Sequence, residues 1–179
     1  LSFYGIDNLV YIKRDDLIHD VISGNKWRKL KYNLQYFQSI SKHGIVSMGG
    51  AFSSHILALS YICNEYKIPC TLLVRGEPSF PINNILKQCL SFNARIKYIN
   101  RENYKDSLWI NTLVNESFKD FYFITEGGAN YFGIYGCQKI VKEILMPFDV
   151  IFCEVGTGAT FSGIVSSLSG GQRCFGTVV

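Results

Sequence analysis

The sequence predicts an α/β fold built on a parallel sheet, and three observations carry that reading. Between Ile45 and Thr125, four short apolar runs alternate with segments of helical periodicity, which is the rhythm of consecutive β-α-β units. One of those runs, Pro69 to Arg75 (Pro-Cys-Thr-Leu-Leu-Val-Arg), shows no polar alternation, as expected of a strand covered on both faces. Several runs end in glycine-rich turns that open directly into a helix.

Taken in order, Val10 to Lys13 is a β-branched and aromatic run that predicts a strand, with Arg14-Asp15-Asp16-Leu17 as its charged exit. From Lys26 onward, Trp27, Leu30, Leu34 and Phe37 recur at helical spacing, and Gly44 marks the stop. Ile45 to Met48 is the next strand, and Gly49 to His55 a turn into a helix running from Ser53 to Tyr66. Strand Pro69 to Arg75 is closed by Gly76-Glu77-Pro78. Pro81 to Phe92 then reads as helix, Ala94 to Ile99 as strand, Asp106 to Phe118 as helix and Phe121 to Thr125 as strand. Glu126 to Asn130 breaks the rhythm with a loop. A helix over Gly133 to Leu145 and a strand over Asp149 to Val155 follow, then the turn Gly156 to Gly163 into another helix, and Cys174 to Val179 reads as a last strand.

Composition narrows the function. With 179 residues, 47% of them hydrophobic, the chain is long enough to bury a core, yet no apolar run approaches the roughly 18 residues of a membrane span. The start Leu1-Ser2-Phe3-Tyr4-Gly5 has neither Met nor a signal-peptide layout, so a soluble, cytoplasmic protein is expected. The net charge of +4 is dispersed rather than gathered in a block. That argues against nucleic acid and membrane as partners while leaving small anions possible. Six cysteines without a C-x-x-C pair suit reduced, buried thiols, and His19, His43 and His55 are not at ligand spacing, so no metal is expected. The missing Met and the strand at the other end predict a fragment of a longer chain.

Four turns have the composition of a site. In Ser23-Gly24-Asn25-Lys26-Trp27-Arg28-Lys29-Leu30 a polar turn delivers Lys26 to a helix start, where unpaired N–H groups welcome anions. Read alone, the same cluster also fits a solvated helix face. Gly156-Thr157-Gly158-Ala159-Thr160 follows an apolar strand and precedes a helix, an arrangement suited to a phosphate. It is neither a P-loop nor G-x-G-x-x-G, and a tight turn needing small residues explains it equally well. Ser53 and Ser54 are hydroxyls at a helix start, where capping is the simpler role. His55 reads as a first-turn helix residue and is kept out of the catalytic set. Glu126 to Asn130 is a plain loop or, through its paired glycines, a close backbone approach to a ligand.

Taken together, Lys13 to Leu17 (K-R-D-D-L), Ser23 to Leu30 (S-G-N-K-W-R-K-L), Gly49 to His55 (G-G-A-F-S-S-H), Glu126 to Asn130 (E-G-G-A-N) and Gly156 to Thr160 (G-T-G-A-T) carry a resemblance. In order and spacing they resemble the 1-aminocyclopropane-1-carboxylate deaminase and D-cysteine desulfhydrase family, which belongs to the tryptophan-synthase-β-like, fold type II, pyridoxal-phosphate enzymes. The resemblance runs over nearly the whole chain.

The resemblance implies two open, mostly parallel α/β/α domains. Residues 1–27 and 128–179 would form a large cofactor-binding domain that is incomplete here, and residues 28–127 a small domain. Its cofactor is pyridoxal 5'-phosphate. Lys26 takes the position of the lysine that carries the cofactor covalently, and Lys29 that of a phosphate contact. Gly156, Thr157, Gly158 and Thr160 match the phosphate loop. Ser53 matches the serine at the substrate carboxylate, giving catalytic residues Lys26 and Ser53. Ser54 stands where relatives usually carry Asn beside the cofactor ring, which makes it a cofactor- and substrate-binding residue beside Ser53, and it offers one donor where Asn offers two. A lysine that condenses with an aldehyde must be available unprotonated, and burial near other cations such as Arg28 and Lys29 lowers its proton affinity. The implied activity is a deaminase or desulfhydrase-type lyase that converts a small amino acid, D-cysteine or 1-aminocyclopropane-1-carboxylate, to a 2-oxo acid and ammonia, in a chain that is a homodimer when full length. The alternatives are a protein of the same fold that binds pyridoxal phosphate or an amino acid without turnover and, more remotely, a nucleotide-binding module using the Gly156 turn.

Overall fold

The computed structural model describes residues 9–178, so the Leu1 to Gly5 stretch and Val179 lie outside it. Helix α1 (Asn25–Ser39) leads into β1 (Gly44–Gly50), followed by α2 (Ser54–Glu65), β2 (Cys70–Arg75), α3 (Asn84–Ser91) and β3 (Arg95–Ile99). Then come α4 (Arg101–Lys105), α5 (Ser107–Ser117) and β4 (Phe121–Ile124). These four strands form one parallel sheet in the order β3-β2-β1-β4. The rest of the chain supplies α6 (Tyr131–Cys137), α7 (Lys139–Lys142), β5 (Val150–Val155), α8 (Ala159–Val165) and β6 (Arg173–Val178), with β5 and β6 paired in parallel.

Strand alternation sorts the core into two layers. Ile45, Leu72, Val74 and Ile124 face α1, α2 and α3, where they meet Leu30, Leu34, Phe37, Leu59 and Leu86. Val46, Met48 and Leu73 point the other way, toward Tyr104, Ile110 and Val114 of α4 and α5. Leu30, Leu59 and Leu72 are fully buried, each contributing about 2 kcal/mol of burial free energy. A separate, smaller core joins Cys137, Ile140, Val141 and Ile164 to the inner side of β5 and β6. All six cysteines are free thiols.

Four expectations are corrected. Val10 to Lys13 is not a strand: it has no ladder partner among the described residues, Ile12 is 80% exposed, and Lys13 instead ion-pairs with Asp15 and Glu143. The helix expected from Pro81 starts at Asn84, because the Asn83 side chain caps it by accepting from Leu86 N–H. Helix α4, unforeseen at five residues, is too short for a periodic pattern and is announced only by its Asn100 cap. The helix expected over Gly133 to Leu145 begins earlier, at Tyr131, where Asn130 caps it. It is split into α6 and α7 around Gln138 and ends at Lys142.

The connectivity places the site. From β1 the chain steps outward through β2 to β3, then returns to the opposite flank of β1 as β4. The segments leaving β1 and β4 therefore diverge, opening a crevice at the carboxyl ends of the strands.

Candidate active site

That crevice is a cavity of about 230 Å³ lined by residues from four segments: the start of α1, the start of α2, the loop after β4 and the β5-α8 turn. Of the residues singled out from sequence, Lys26, Lys29, Ser53, Gly156, Thr157, Gly158 and Thr160 all line it. Ser54 does not. It is the first residue of α2, one position past the Ser53 cap, and the turn of the helix leaves it exposed. Asn25, His55, Glu126, Gly127, Glu154 and Phe161 complete the lining. Of these, Glu126 and Gly127 fell in the loop considered able to approach a ligand and Asn25 in the turn that delivers Lys26, whereas His55 had been set aside and Glu154 and Phe161 were not candidates.

Local sequence explains the walls. Gly24 ends the preceding turn at φ 62°, a left-handed conformation that suits glycine, and its N–H donates to the Asp15 carbonyl at 3.0 Å. Lys26 and Lys29 then fall one turn apart on one face of α1. Asn25 ties this face to the far wall: its Oδ1 accepts from Lys26 Nζ at 2.5 Å, and its Nδ2 donates to Thr160 Oγ1 at 2.6 Å. The loop after β4 closes in through its glycines. A Cβ on Gly127 (φ 62°) would stand 2.8 Å from Thr157 Cγ2, and one on Gly128 (φ 67°) 3.2 Å from Lys29 Cβ. Behind that loop, Asn33 and Asn130 exchange amide hydrogen bonds at 2.7 and 3.2 Å, and Tyr122 donates to Asn33 Oδ1 at 2.7 Å. This buried network holds α1, β4 and the loop in register.

The electrostatics are those of a site short of an anion. Lys29 is buried and Lys26 half-buried, and among the described residues neither lies within salt-bridge distance of a carboxylate. Burial lowers the proton affinity of Lys26, with Cys137 and Glu154 pulling the other way. Burial also lowers that of Lys29, with Cys137 opposing and Lys26 adding to the depression. Arg28, expected to help depress Lys26, faces away: it forms hydrogen bonds of 2.6 to 2.9 Å with Asp15 and Glu143. Across the cavity, Gly156 and Gly158 have open space where a Cβ would stand, and Gly158 is left-handed at φ 81°. Among the described residues no acceptor takes the N–H groups of Thr157, Gly158, Ala159 or Thr160.

This donor set fits an aldehyde that carries a phosphate. Lys26 offers a nucleophilic amine, while Lys29 and the free N–H groups of the β5-α8 turn offer an anion cradle. A parallel α/β crevice with such a lysine and such a turn defines a cofactor-binding enzyme site, and the comparison with known proteins names the class. The chain belongs to the pyridoxal-phosphate dependent enzyme family, whose profile matches residues 2–177. It is 33% identical over 175 residues to a Thermotoga maritima protein provisionally named 1-aminocyclopropane-1-carboxylate deaminase, an alignment covering 93% of this chain and 55% of that one. It is 28% identical over 179 residues to the bifunctional D-cysteine desulfhydrase/1-aminocyclopropane-1-carboxylate deaminase of Arabidopsis thaliana, covering 87% and 44%. Superposed on the crystal structure of an ACC deaminase homologue, it gives a TM-score of 0.74 at 27% identity, covering 89% of this chain and 51% of that one. The chain spans about half the length of the curated relatives it matches. Among the described residues no helix is long and apolar enough to cross a membrane.

Proposed function

We propose that the full-length protein is a pyridoxal-phosphate-dependent deaminase or desulfhydrase that converts D-cysteine or 1-aminocyclopropane-1-carboxylate to a 2-oxo acid and ammonia. The observation that carries this reading is Lys26, a half-buried amine of lowered proton affinity facing an anion cradle. When bound, pyridoxal phosphate supplies the electron sink that stabilises negative charge at the substrate carbon. The names of the relatives support the two candidate substrates.

The chain's own residues divide the work. Lys26 Nζ would anchor the cofactor and, its proton affinity lowered by burial, would move a proton at the substrate carbon. Lys29 and the phosphate loop of Gly156, Thr157, Gly158 and Thr160, with its free N–H groups, would bind the phosphate, and Asn25 orients Lys26 against Thr160. Ser53, which lines the cavity and whose hydroxyl caps α2, would bind the substrate carboxylate. The two sheets fit a division into residues 28–127 and residues 1–27 with 128–179, with the cavity between them. A homodimer is proposed for the full-length protein.

The test is spectroscopic and chemical. Purified full-length protein should be yellow, and borohydride should fix the cofactor to Lys26. Ammonia should be released from one member of a panel of D- and L-amino acids, with sulfide as well from D-cysteine. A colourless protein with no adduct at Lys26 sinks the reading. A yellow protein that turns over nothing in the panel is a binding protein of the same fold.

A further inference from the structure

His55 is the most buried polar group of the cavity wall, at 1% exposure. Its ring is fixed from one side. Ser47 Oγ donates its only proton to the Ile124 carbonyl at 2.7 Å, because a carbonyl can only accept. The 2.9 Å contact between Ser47 Oγ and His55 Nε2 must therefore be donated by the imidazole. That places the ring proton on Nε2 and leaves Nδ1 as a lone-pair acceptor. Nδ1 is buried and has no partner. A buried acceptor left bare costs about 1–3 kcal/mol of lost hydration, so its persistence calls for a donor.

One donor stands beside it. Around the point a Cβ of Gly128 would occupy, His55 Cε1 lies at 3.6 Å and the Lys29 stem at 3.2 Å (Cβ) and 3.8 Å (Cδ), so ring and stem flank the same glycine. Lys29 is itself buried, lines the cavity, and among the described residues has no carboxylate within salt-bridge distance. The Lys29 stem on α1 and the His55 ring on α2 thus flank Gly128 from two wall elements, with Nδ1 unpartnered and Nζ free to turn toward it.

Resting on the reading of the cavity as a phosphate site, we propose that His55 is the positioning residue of Lys29. Its Nδ1 accepts a hydrogen bond from the Lys29 ammonium and turns the remaining N–H groups toward the anion in the cavity. Ser47 sets the tautomer that makes this possible. The electrostatics agree: burial, then the charges of Lys29 and Lys26, push His55 down to about 3, so the ring stays a neutral acceptor near neutral pH. A protonated histidine here would repel the lysine and offer it no lone pair.

The test has two arms on the full chain. The first needs no cofactor: nitrogen NMR of His55 should show the Nε2–H tautomer, and Lys29→Met should shift the Nδ1 resonance as it loses its donor. An Nδ1–H tautomer, or an Nδ1 resonance unmoved by Lys29→Met, overturns the proposal. The second arm measures pyridoxal phosphate affinity by absorbance, alongside thermal unfolding. His55→Asn keeps an acceptor near the Nδ1 position, whereas His55→Gln keeps only the donor to Ser47. Affinity within about threefold of wild type for His55→Asn and a loss of about tenfold for His55→Gln is the expected pattern. Equal affinities, or the reverse order, overturn it. If wild type binds no pyridoxal phosphate, the cofactor reading fails while the nitrogen NMR still decides between His55 and Lys29.

Discussion

Helix α1 carries cations on two faces, and they are treated in opposite ways. On one face, Arg28 is buried and every donor it uses has an acid: Asp15 takes Nε and Nη2, and Glu143 takes Nη1 and Nη2. Lys13 closes the ring by bonding to both carboxylates, at 2.8 and 2.9 Å. On the other face, Lys26 and Lys29 are withdrawn from water with no carboxylate in reach among the described residues. Burial and neighbouring charge have opposite outcomes: the acids raise the proton affinity of Arg28 despite its burial, whereas burial wins at the two lysines. The lesson is that a buried cation is structural or functional according to its partners, since an unpaired buried charge is tolerated only where a ligand supplies the counter-charge.

The sharpest way to break this comparison is Lys26→Ala in the full-length protein. Turnover should fall about a thousandfold or more, with an unchanged circular dichroism spectrum; a variant retaining a tenth of the activity removes Lys26 from the chemistry. On the paired face the expected loss is in stability. Arg28→Met leaves Asp15 and Glu143 with Lys13 as their remaining cation among the described residues and should cost about 1–3 kcal/mol in urea unfolding, and Arg28→Lys should recover only part of it because an ammonium lacks the planar fork that meets each carboxylate with two N–H groups.

The unpaired face should respond to anions. Inorganic phosphate at millimolar concentration should raise the melting temperature of wild type, and Lys29→Met should lose most of that gain. A gain undiminished in Lys29→Met places the anion elsewhere.

Acid distinguishes the two faces in a smaller way. Hydrogen bonds from Arg28 chiefly, and from Lys13, lower Glu143 from 4.5 to about 2. Its contribution is therefore fully present above 4.5 and is lost as pH falls toward about 2. Because Glu143 is half-exposed, that contribution is below about 1 kcal/mol, and Glu143→Gln should flatten the acid limb by that amount. The smallest effect belongs to Ser54. Exposed and off the cavity, it should tolerate Ser54→Ala with turnover within about twofold, a result that stopped-flow or steady-state assays resolve.

Much of the fold was legible because it depends on short-range patterns. The unbroken apolar run of β2, the period of Trp27, Leu30, Leu34 and Phe37, and the glycine turns each encode one element locally. Val10 to Lys13 misled for a physical reason: β-branched residues favour extended backbone, but a strand exists only where a neighbour completes its hydrogen bonds. The site was legible as motifs, not as a constellation. Lys26, Lys29, Ser53 and the Gly156 turn were found because glycine, hydroxyl and lysine at element boundaries are distinctive. Asn25, Glu154, Phe161 and above all His55 were not, since nothing in a first-turn histidine announces which atoms it will meet.

The sequence by itself thus determined the alternation of strand and helix, the positions of the turns and the chemical kinds of group available to a phosphate-bearing aldehyde. Tertiary structure alone decided which cations are paired, that Ser53 faces the cavity while Ser54 faces water, and that the His55 ring is held as an acceptor beside Lys29. Those outcomes depend on the return of β4 to the flank of β1 and on glycines that let Gly127 and Gly128 approach α1 and Thr157. Desolvation and pairing are properties of distances between segments far apart in the chain, and local propensity carries no information about them.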